Sequence, residues 1–351
     1  MKYYDRIPKN FLLIRLVATR FCNYRCPYCY VPMEKRENKK TMFSQHDWNE
    51  WLQALKDNFY DRSLEFYFTG GEPLLVKDCV FLIKKLTELP HVIRIRIDSN
   101  LSVVENFLEN VDSEKVRFLT AFHPTQISLD NYTAKVKEAQ LRNMVEAVNF
   151  VASKENLLLL NISPHKLIKD FENIGIFLNV SKDFHQGLSK GWDYDPNYKR
   201  YIDMLQYPLD TYYMNFYSLT KGFLCGGGGR HYISINRHGQ VFSCGGKIAR
   251  TVGYGNIFDK TLNLPNNLHI CKEDYCPSII SYSFSSSNDF LPIDHIKGYV
   301  ERCREIRKGI SEEYLENLWG KIDINNIIVK SNKKGLINKI KRVKHILKYN
   351  A

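Results

Sequence analysis

The sequence predicts an α/β fold: a partial (β/α)6 TIM-like barrel of six parallel strands, with a small C-terminal β-hairpin-plus-helix domain. First, short β-branched runs alternate with longer amphipathic stretches through the first 180 residues. Second, several of these runs are apolar almost throughout, as expected of parallel strands covered on both faces. Third, six strand–helix units are too few for the usual eight-stranded barrel.

The predicted strands and helices follow one another in a regular order. The strands are Phe11–Thr19, Leu64–Thr69, Val92–Ser99, Val116–Phe122, Leu157–Ser163 and Ile174–Val180. The first helix runs from Ser44, as its N-cap, to about Asn58, with Asp47 three residues after the cap in an arrangement close to a capping box. The later helices are Asp78–Glu88, Val103–Leu108, Asn131–Ser153 and Ser163–Phe171. Helices of this length supply the crossovers that parallel strands need.

The composition changes after residue 186, and four segments are expected. They are a barrel core over residues 1–186, a bridging segment over 187–222, a small domain over 223–280 and a helical region over 281–351. The small domain contains Gly-rich turns and a hairpin signal, with strands Tyr232–Asn236 and Gln240–Ser243 around a turn at Arg237–Gly239. The flanking His231 and His238 are assigned no role.

The basic charge of the chain is concentrated near its C-terminus. The formal net charge is +12, and residues 331–351 contain seven Lys or Arg residues and no acid. The helix predicted over Leu336–Tyr349 has an apolar stripe and a basic face, so it either lies on an anionic membrane surface or a partner, or packs on its own domain. No run approaches the roughly 18 apolar residues that span a bilayer, and the start does not resemble a signal peptide. The sequence therefore predicts a cytoplasmic protein without a transmembrane segment.

Three cysteines lie within eight residues, directly after the first predicted strand. Cys22, Cys26 and Cys29 have C-x3-C-x2-C spacing at the carboxyl end of a parallel strand, where α/β folds place their sites. Three thiolates can hold three irons of a 4Fe–4S cluster and leave the fourth iron open, whereas closed structural clusters use four cysteines. Zinc is the alternative, but structural zinc needs four ligands, and His46 lies beyond a long charged loop.

Together with the sequence TGGEP over residues 69–73, this spacing resembles the radical S-adenosylmethionine (SAM) superfamily. The resemblance implies that the three cysteines bind a 4Fe–4S cluster. It also implies that Gly70, Gly71 and Glu72 bind the amino group of SAM, because glycines expose backbone carbonyls and a carboxylate accepts hydrogen bonds from an ammonium.

The same resemblance implies that Tyr28, Ser99 and Asn100 also contact SAM. Tyr28 matches an aromatic position that packs near the adenine. Ser99 and Asn100 end the third predicted strand, where the superfamily often has a Thr-Asn-Gly turn, although Leu101 replaces the glycine here. His123 follows the fourth strand and either contacts SAM, acts as an acid–base group, or only satisfies its own turn.

Four more cysteines lie between residues 225 and 276. Cys225 precedes the predicted hairpin, Cys244 follows it, and Cys271 and Cys276 close the group. This arrangement resembles the twitch/SPASM-like auxiliary-cluster module, in the short form that holds one further 4Fe–4S cluster, although its C-x4-C spacing is wider than the common C-x2-C. A four-cysteine zinc site is the alternative.

The two remaining cysteines, Cys79 and Cys303, lie in predicted helices and are interpreted as packing residues.

The radical SAM resemblance implies an oxidoreductase-type enzyme that reductively cleaves SAM to a 5′-deoxyadenosyl radical and abstracts hydrogen from a substrate carbon. The electron would come from a donor such as flavodoxin or ferredoxin. No residue is predicted as a catalytic acid or base.

Three hypotheses concern the substrate. The first is oxidation or rearrangement of a carbohydrate-type small molecule, because the chain resembles twitch-type alcohol dehydrogenases. In addition, only about ten residues precede the first strand, so no leader-peptide-binding module is expected there. The second is modification of a ribosomally made peptide. The third is a zinc-bearing nucleic-acid-binding protein, suggested by the pI of about 9.1. Acids dispersed through the body of the chain argue against the third, so no nucleic-acid partner is expected.

Overall fold

The computed structural model describes residues 7–29, 46–151, 164–181, 220–244, 252–273 and 284–286, and the single residues 153, 155, 156, 159 and 276. In this part of the chain, parallel strands alternate with helices, which confirms the predicted α/β partial-barrel fold class. None of the described helices is both long enough and apolar enough to cross a membrane.

The elements follow in chain order. They are β1 (Phe11–Thr19), α1 (Trp48–Phe59), β2 (Ser63–Gly70), α2 (Lys77–Thr87), β3 (Val92–Ser99), α3 (Val104–Asn110), β4 (Val116–Phe122), α4 (Leu129–Gln140), β5 (Val145–Val151), α5 (Pro164–Glu172), β6 (Phe177–Ser181), β7 (Leu224–Cys225), β8 (Tyr232–Ile235), β9 (Gln240–Phe242), β10 (Gly253–Asn256) and β11 (His269–Ile270).

One nine-stranded sheet contains most of these strands, in the order β10-β9-β8-β1-β2-β3-β4-β5-β6. Strands β1 to β6 are parallel neighbours. The predicted hairpin is confirmed as β8 and β9, and β8 pairs in parallel with β1, from Leu13 opposite Tyr232 to Leu16 opposite Ile235. The hairpin therefore continues the barrel sheet, which the sequence did not indicate. Strands β7 and β11 form a separate antiparallel pair.

The fifth strand is Val145–Val151, so the helix predicted over Asn131–Ser153 is wrong beyond Gln140. Asn143 has a φ of +53° and so turns the chain at the end of α4. The following sequence VEAVNFV alternates and is rich in β-branched valine, which favours a strand. The predicted strand Leu157–Ser163 is therefore wrong as the fifth strand; of its residues only Leu159 is described, and it is helical.

The N-cap of helix α1 is Asp47, whereas the sequence analysis predicted Ser44. The Asp47 carboxylate accepts hydrogen bonds from the backbone N–H of Asn49 at 2.8 Å and of Glu50 at 2.9 Å. The Glu50 side chain accepts in return from the backbone N–H of Asp47 at 2.8 Å. This reciprocal capping box satisfies donors that the first helical turn cannot pair itself. Ser44 lies outside the described residues.

The outer face of the sheet is apolar and covered by helices. In β1, alternate residues from Leu12 to Ala18 are fully buried and belong to one core cluster with Trp51, Leu55 and Phe59 of α1. Because successive side chains of a strand point to opposite faces, the intervening residues of β1 lie on the other face of the sheet. Burial of this apolar layer is what holds the helices on the sheet.

The opposite face, called here the inner face, carries Arg15, Tyr67, Asp98 and Asn149, which are polar and half-buried. Deeper on the inner face, the buried Arg96 forms ion pairs with Glu65 and Glu146. The Arg96 Nε donates to Glu146 Oε2 at 2.9 Å. Charges are buried at acceptable cost only when they are paired in this way. The inner face therefore carries polar and charged side chains, whereas the outer face is apolar.

Several predicted segments fall outside the described residues. The bridging segment 187–222 is described only from residue 220, and Cys303 and the basic helix Leu336–Tyr349 lie in the part that is not described.

Replacing Arg96 by Met tests the inner-face ion network. It removes the cation that pairs with both Glu65 and Glu146 and leaves Glu146 with the more distant Arg94 at 3.9 Å, so the free energy of unfolding is expected to fall by about 3–5 kcal/mol. The measurement is urea unfolding followed by circular dichroism. Lys85→Met is the control, because it removes the exposed ion pair with Glu88 and is expected to cost less than about 1 kcal/mol. Equal unfolding midpoints for the two variants would contradict a structural role for the network.

Candidate functional site

A first candidate site lies where β1, β2 and β3 reach their carboxyl ends. The turn after β2 contacts the loop after β1 through the main chain: the Gly71 N–H donates to the Thr19 carbonyl and the Glu72 N–H to the Phe21 carbonyl, both at 2.7 Å. A Cβ atom on Gly70 would lie 2.1 Å from the Thr19 oxygen, and one on Gly71 would lie 2.0 Å from the Phe21 oxygen. Only glycine permits this approach, which explains both glycines of the turn.

The carboxylate of Glu72 joins the ends of β2 and β3. It is buried and accepts from the Leu74 N–H at 3.1 Å, the Ser99 hydroxyl at 2.9 Å and the Asn100 N–H at 2.6 Å. Burial raises the pKa of Glu72 to about 7, because the loss of solvation outweighs these hydrogen bonds. The predicted residues Glu72, Ser99 and Asn100 therefore form one connected group.

Asn100 links this group to the cysteine loop. Its side-chain Nδ2 lies 3.8 Å from the Cys22 sulfur and donates to the Asn23 Oδ1 at 3.0 Å. Leu101 stands where the superfamily often has glycine, and its φ of +57° is the left-handed conformation that glycine adopts readily. The turn geometry is thus retained despite the substitution, with the Leu101 N–H donating to the Ser99 hydroxyl at 2.9 Å.

The loop of Cys22, Cys26 and Cys29 is compact, and none of the three forms a disulfide. The Tyr24 N–H points to the Cys22 sulfur at 3.4 Å, and the Cys29 N–H donates to the Cys26 carbonyl at 3.2 Å. The Arg25 N–H donates to Gln126 Oε1 at 3.0 Å, which ties the loop to the segment after β4.

An aromatic group lies beside this loop. The buried Tyr28 hydroxyl is 2.9 Å from His123 Nδ1, and the Tyr24 ring meets the His123 ring edge to face at 6.0 Å between centroids. Burial lowers the pKa of His123 to about 4, so its ring is neutral at physiological pH. His123 therefore contacts the residue expected near the adenine, and it is not a proton donor of the imidazolium type.

A second candidate site is a cavity lined by four cysteines of the C-terminal part. The lining residues are Cys225, Cys244, Cys271, Cys276, Thr220, Glu273 and Ser285. The Cys225 sulfur accepts from the Gly227 N–H at 3.3 Å. Burial, with smaller contributions from the neighbouring Cys244 and Cys271, raises the pKa of Cys225 to about 12. Without a metal Cys225 is therefore a neutral thiol, and the four cysteines offer the sulfur donors that an iron–sulfur cluster or a zinc ion would need.

This second site is anchored near the amino end of β1. The Gly226 N–H donates to the Phe284 carbonyl at 2.9 Å, and the Phe284 ring stacks on Phe11 with centroids 6.1 Å apart. His231 Nδ1 lies 3.0 Å from the Phe11 carbonyl. The first cysteine loop follows the carboxyl end of the same strand. The two cysteine groups are therefore associated with opposite ends of β1, whose nine residues span roughly 30 Å.

Within the described residues, no three Cys, His, Asp or Glu side chains are spaced as ligands of a single metal ion. Cys79 is a residue of α2 and is fully buried in the core, as its interpretation as a packing residue requires.

The sequence analysis did not assign a role to Asp98 or Tyr67. The Tyr67 hydroxyl donates to Asp98 Oδ2 at 2.6 Å on the inner face, below the Glu72 group. Burial raises the pKa of Asp98 to about 6. A usable signal was present, because Arg94, Arg96 and Asp98 occupy every second position of an otherwise apolar strand, which is typical of a polar inner face.

Comparison with known families gives the chain a partial assignment. Residues 16–174 match the model of the radical SAM superfamily. The matched residues run from within β1 to just after α5, and they include the first cysteine loop and the Glu72 group of the first candidate site.

Three proteins illustrate what the chain is similar to. The radical SAM cyclopropyl synthase TigE of Paramaledivibacter caminithermalis is 22% identical, over 96% of this chain and 75% of TigE. The PqqA peptide cyclase of Bradyrhizobium diazoefficiens is 22% identical, over 66% of each chain. The crystal structure of Streptococcus suis SuiB bound to S-adenosylmethionine has a TM-score of 0.52 at 15% identity, covering 72% of this chain and 64% of SuiB.

The similarity reaches only part of most relatives. The chain also matches the GTP 3′,8-cyclase of Clostridium botulinum at 26% identity, over 51% of this chain and 56% of the cyclase. Apart from TigE, the relatives named here are covered over less than two thirds of their length.

Replacing Gly71 by Ala tests the contact between the β2 turn and the cysteine loop. The added Cβ meets the backbone oxygen of Phe21, so the loop must shift, and the free energy of unfolding is expected to fall by about 1–3 kcal/mol. The measurement is urea unfolding, together with iron bound per chain after anaerobic reconstitution, which is expected to fall. Gly253→Ala is the control, because the nearest atom to its Cβ is 4.0 Å away. A Gly71→Ala variant as stable and as rich in iron as this control would contradict the analysis.

Proposed function

We propose that the protein is a radical SAM enzyme that modifies a ribosomally made peptide. The observation that carries the radical SAM part is the hydrogen-bonded group of Glu72, Ser99 and Asn100, which reaches the Cys22 loop through the Asn100 side chain. A buried carboxylate beside a three-cysteine loop is the arrangement needed to hold an ammonium next to a metal cluster.

Cys22, Cys26 and Cys29 would hold the first cluster. The residues suit it: three sulfur donors share one compact loop and leave one iron position without a protein ligand. When bound there and reduced, the cluster would supply the electron for cleavage of SAM to methionine and a 5′-deoxyadenosyl radical. Glu72 would accept from the SAM amino group, with Gly70 and Gly71 offering backbone carbonyls.

The aromatic group would orient the other end of SAM. Tyr28 would pack against the adenine, and His123 would hold the Tyr28 ring in place through their hydrogen bond at 2.9 Å. The buried Tyr28 ring would exclude water from this part of the site.

Cys225, Cys244, Cys271 and Cys276 would hold a second, auxiliary 4Fe–4S cluster in a twitch/SPASM-like domain. The support is that all four side chains line one cavity. Such a cluster would supply electron exchange with the substrate or with a donor such as flavodoxin or ferredoxin.

A peptide is supported better than a carbohydrate as the substrate. The relatives similar to this chain include a cyclase named for the PqqA peptide, and SuiB was also crystallised with its precursor peptide SuiA. The inner face, lined by polar side chains, accepts polar groups of either kind. The carbohydrate hypothesis, suggested by resemblance to twitch-type alcohol dehydrogenases, stays the second candidate.

Iron analysis of the anaerobically reconstituted protein tests both clusters. The wild type is expected to bind about eight irons and the Cys22/Cys26/Cys29→Ala variant about four, with SAM cleaved to 5′-deoxyadenosine by the wild type only. Cys79→Ala is the matched control and is expected to keep all the iron. About four irons falling to none would contradict the auxiliary cluster alone. Zinc without iron would contradict the proposal as a whole.

The pH dependence of SAM binding tests the role of Glu72. Below about pH 7 the unliganded Glu72 becomes protonated and cannot pair with the SAM ammonium, so affinity is expected to fall up to about tenfold per pH unit. The measurement is calorimetric titration with SAM between pH 5.5 and 7.5, the range being set around that value. Glu72→Gln is expected to bind weakly without this slope. Asp98→Asn is the control: it should retain the slope, shifted to lower pH, because the Asp98 charge contributes to the raised pKa of Glu72.

A further inference from the structure

A cavity of about 190 Å³ lies between the carboxyl end of β1 and the turn that joins β8 to β9. Two arginines and a histidine contribute to its lining, and none of the described residues that line it is acidic. The lining residues are Val17, Thr19, Arg20, Asn236, Arg237 and His238.

The cavity adjoins the first candidate site. Val17 and Thr19 alternate with the core residues Leu16 and Ala18, so they belong to the inner face of the sheet. The Thr19 carbonyl accepts from the Gly71 N–H, and Arg20 precedes Cys22 by two residues. A molecule in this cavity would therefore lie next to the proposed SAM site, where a substrate has to be.

The turn that carries Arg237 and His238 is rigid. The Asn236 Oδ1 accepts from the His238 N–H at 2.9 Å and from the Gln240 N–H at 3.2 Å. The His238 carbonyl accepts from Asn256 Nδ2 at 2.9 Å. These side-chain-to-backbone hydrogen bonds, on both sides of the turn, restrain its conformation.

The same turn is fastened to the barrel. A Cβ on Gly239 would lie 2.4 Å from the Phe258 ring, so the turn packs directly on that ring. Phe258 in turn stacks on His46 at 3.8 Å and meets Trp51 edge to face at 5.0 Å. Arg237 and His238 are thus held at a fixed position relative to β1, which lowers the ordering cost of binding.

The charged groups match an anionic ligand. Arg20 is exposed and forms no ion pair with any acid in the described part of the chain. The Arg237 Nε donates to His238 Nε2 at 3.2 Å, which orients the guanidinium. Guanidinium groups bind carboxylate and phosphate oxygens through two parallel hydrogen bonds.

We infer that this cavity binds an anionic group of the substrate, a carboxylate or a phosphate, through Arg20 and Arg237. The inference rests on the proposed function only in identifying the ligand as the substrate. Binding of the anion itself needs neither SAM cleavage nor turnover, so it can succeed or fail separately.

The test is calorimetric titration of the anaerobically reconstituted full chain at constant ionic strength. The probes are sodium triphosphate, an acetylated tri-glutamate peptide, and the tri-glutamine peptide as the uncharged control. Arg20→Gln and Arg237→Gln are each expected to weaken binding of the better anion about tenfold, the effect of one charged hydrogen bond. Arg237→Lys keeps the charge but loses the two parallel N–H donors of the guanidinium, so its affinity should lie between those of the wild type and Arg237→Gln.

Arg142→Gln is the matched control, because Arg142 is exposed in the turn after α4, away from the cavity, and it should bind like the wild type. Circular dichroism checks folding, and the Lys variant remains informative if a Gln variant unfolds. Tighter binding of tri-glutamate identifies a peptide carboxylate. Tighter binding of triphosphate keeps the anion site but contradicts a peptide substrate. No binding, or equal binding by wild type and both Gln variants, would overturn the inference.

Discussion

The main-chain contact between the turn after β2 and the loop after β1 is the constraint on which the rest of the site depends. Two glycines let backbone carbonyls of Thr19 and Phe21 approach within hydrogen-bond distance of the turn. This contact sets where the Glu72 carboxylate sits, and Glu72 then draws the end of β3 into the same group. One close approach of two loops therefore positions the cysteine loop, the carboxylate and Asn100 together.

The two faces of the sheet have different roles: the outer face stabilises the fold, and the inner face lies beside the candidate site. Its outer face is an apolar layer packed under helices, and its inner face carries charges that would be costly without partners. The Arg96 network satisfies the deepest of these charges, while Asp98, Arg15 and Asn149 remain half-buried nearer the site. A polar inner face of this kind suits a polar substrate and is compatible with a stable core, because the two faces do not share side chains.

Strand periodicity and motif spacing predicted much of the fold. The bounds of β1, β3 and β4 agree with the sequence prediction, and each hairpin strand ends one residue earlier than predicted. Strand periodicity and turn residues are local signals, which is why these elements could be predicted. The fifth strand was misplaced because α4 and β5 follow each other within a few residues, and the apolar positions of the strand also fit a helical period. The N-cap of α1 was misplaced by three residues for a similar reason, since Ser44 and Asp47 both suit a cap.

The sequence by itself determined which residues can carry the chemistry: the cysteine spacing after β1, the two glycines and Glu72 are local patterns with a chemical meaning. Only the tertiary structure decided which of them meet. Cys225 and Cys276 are far apart in the chain, yet they line one cavity with Cys244 and Cys271. The parallel pairing of β8 with β1 brings the Arg237 turn to the end of β1. Such contacts depend on non-local strand pairing and packing, which no window of sequence contains.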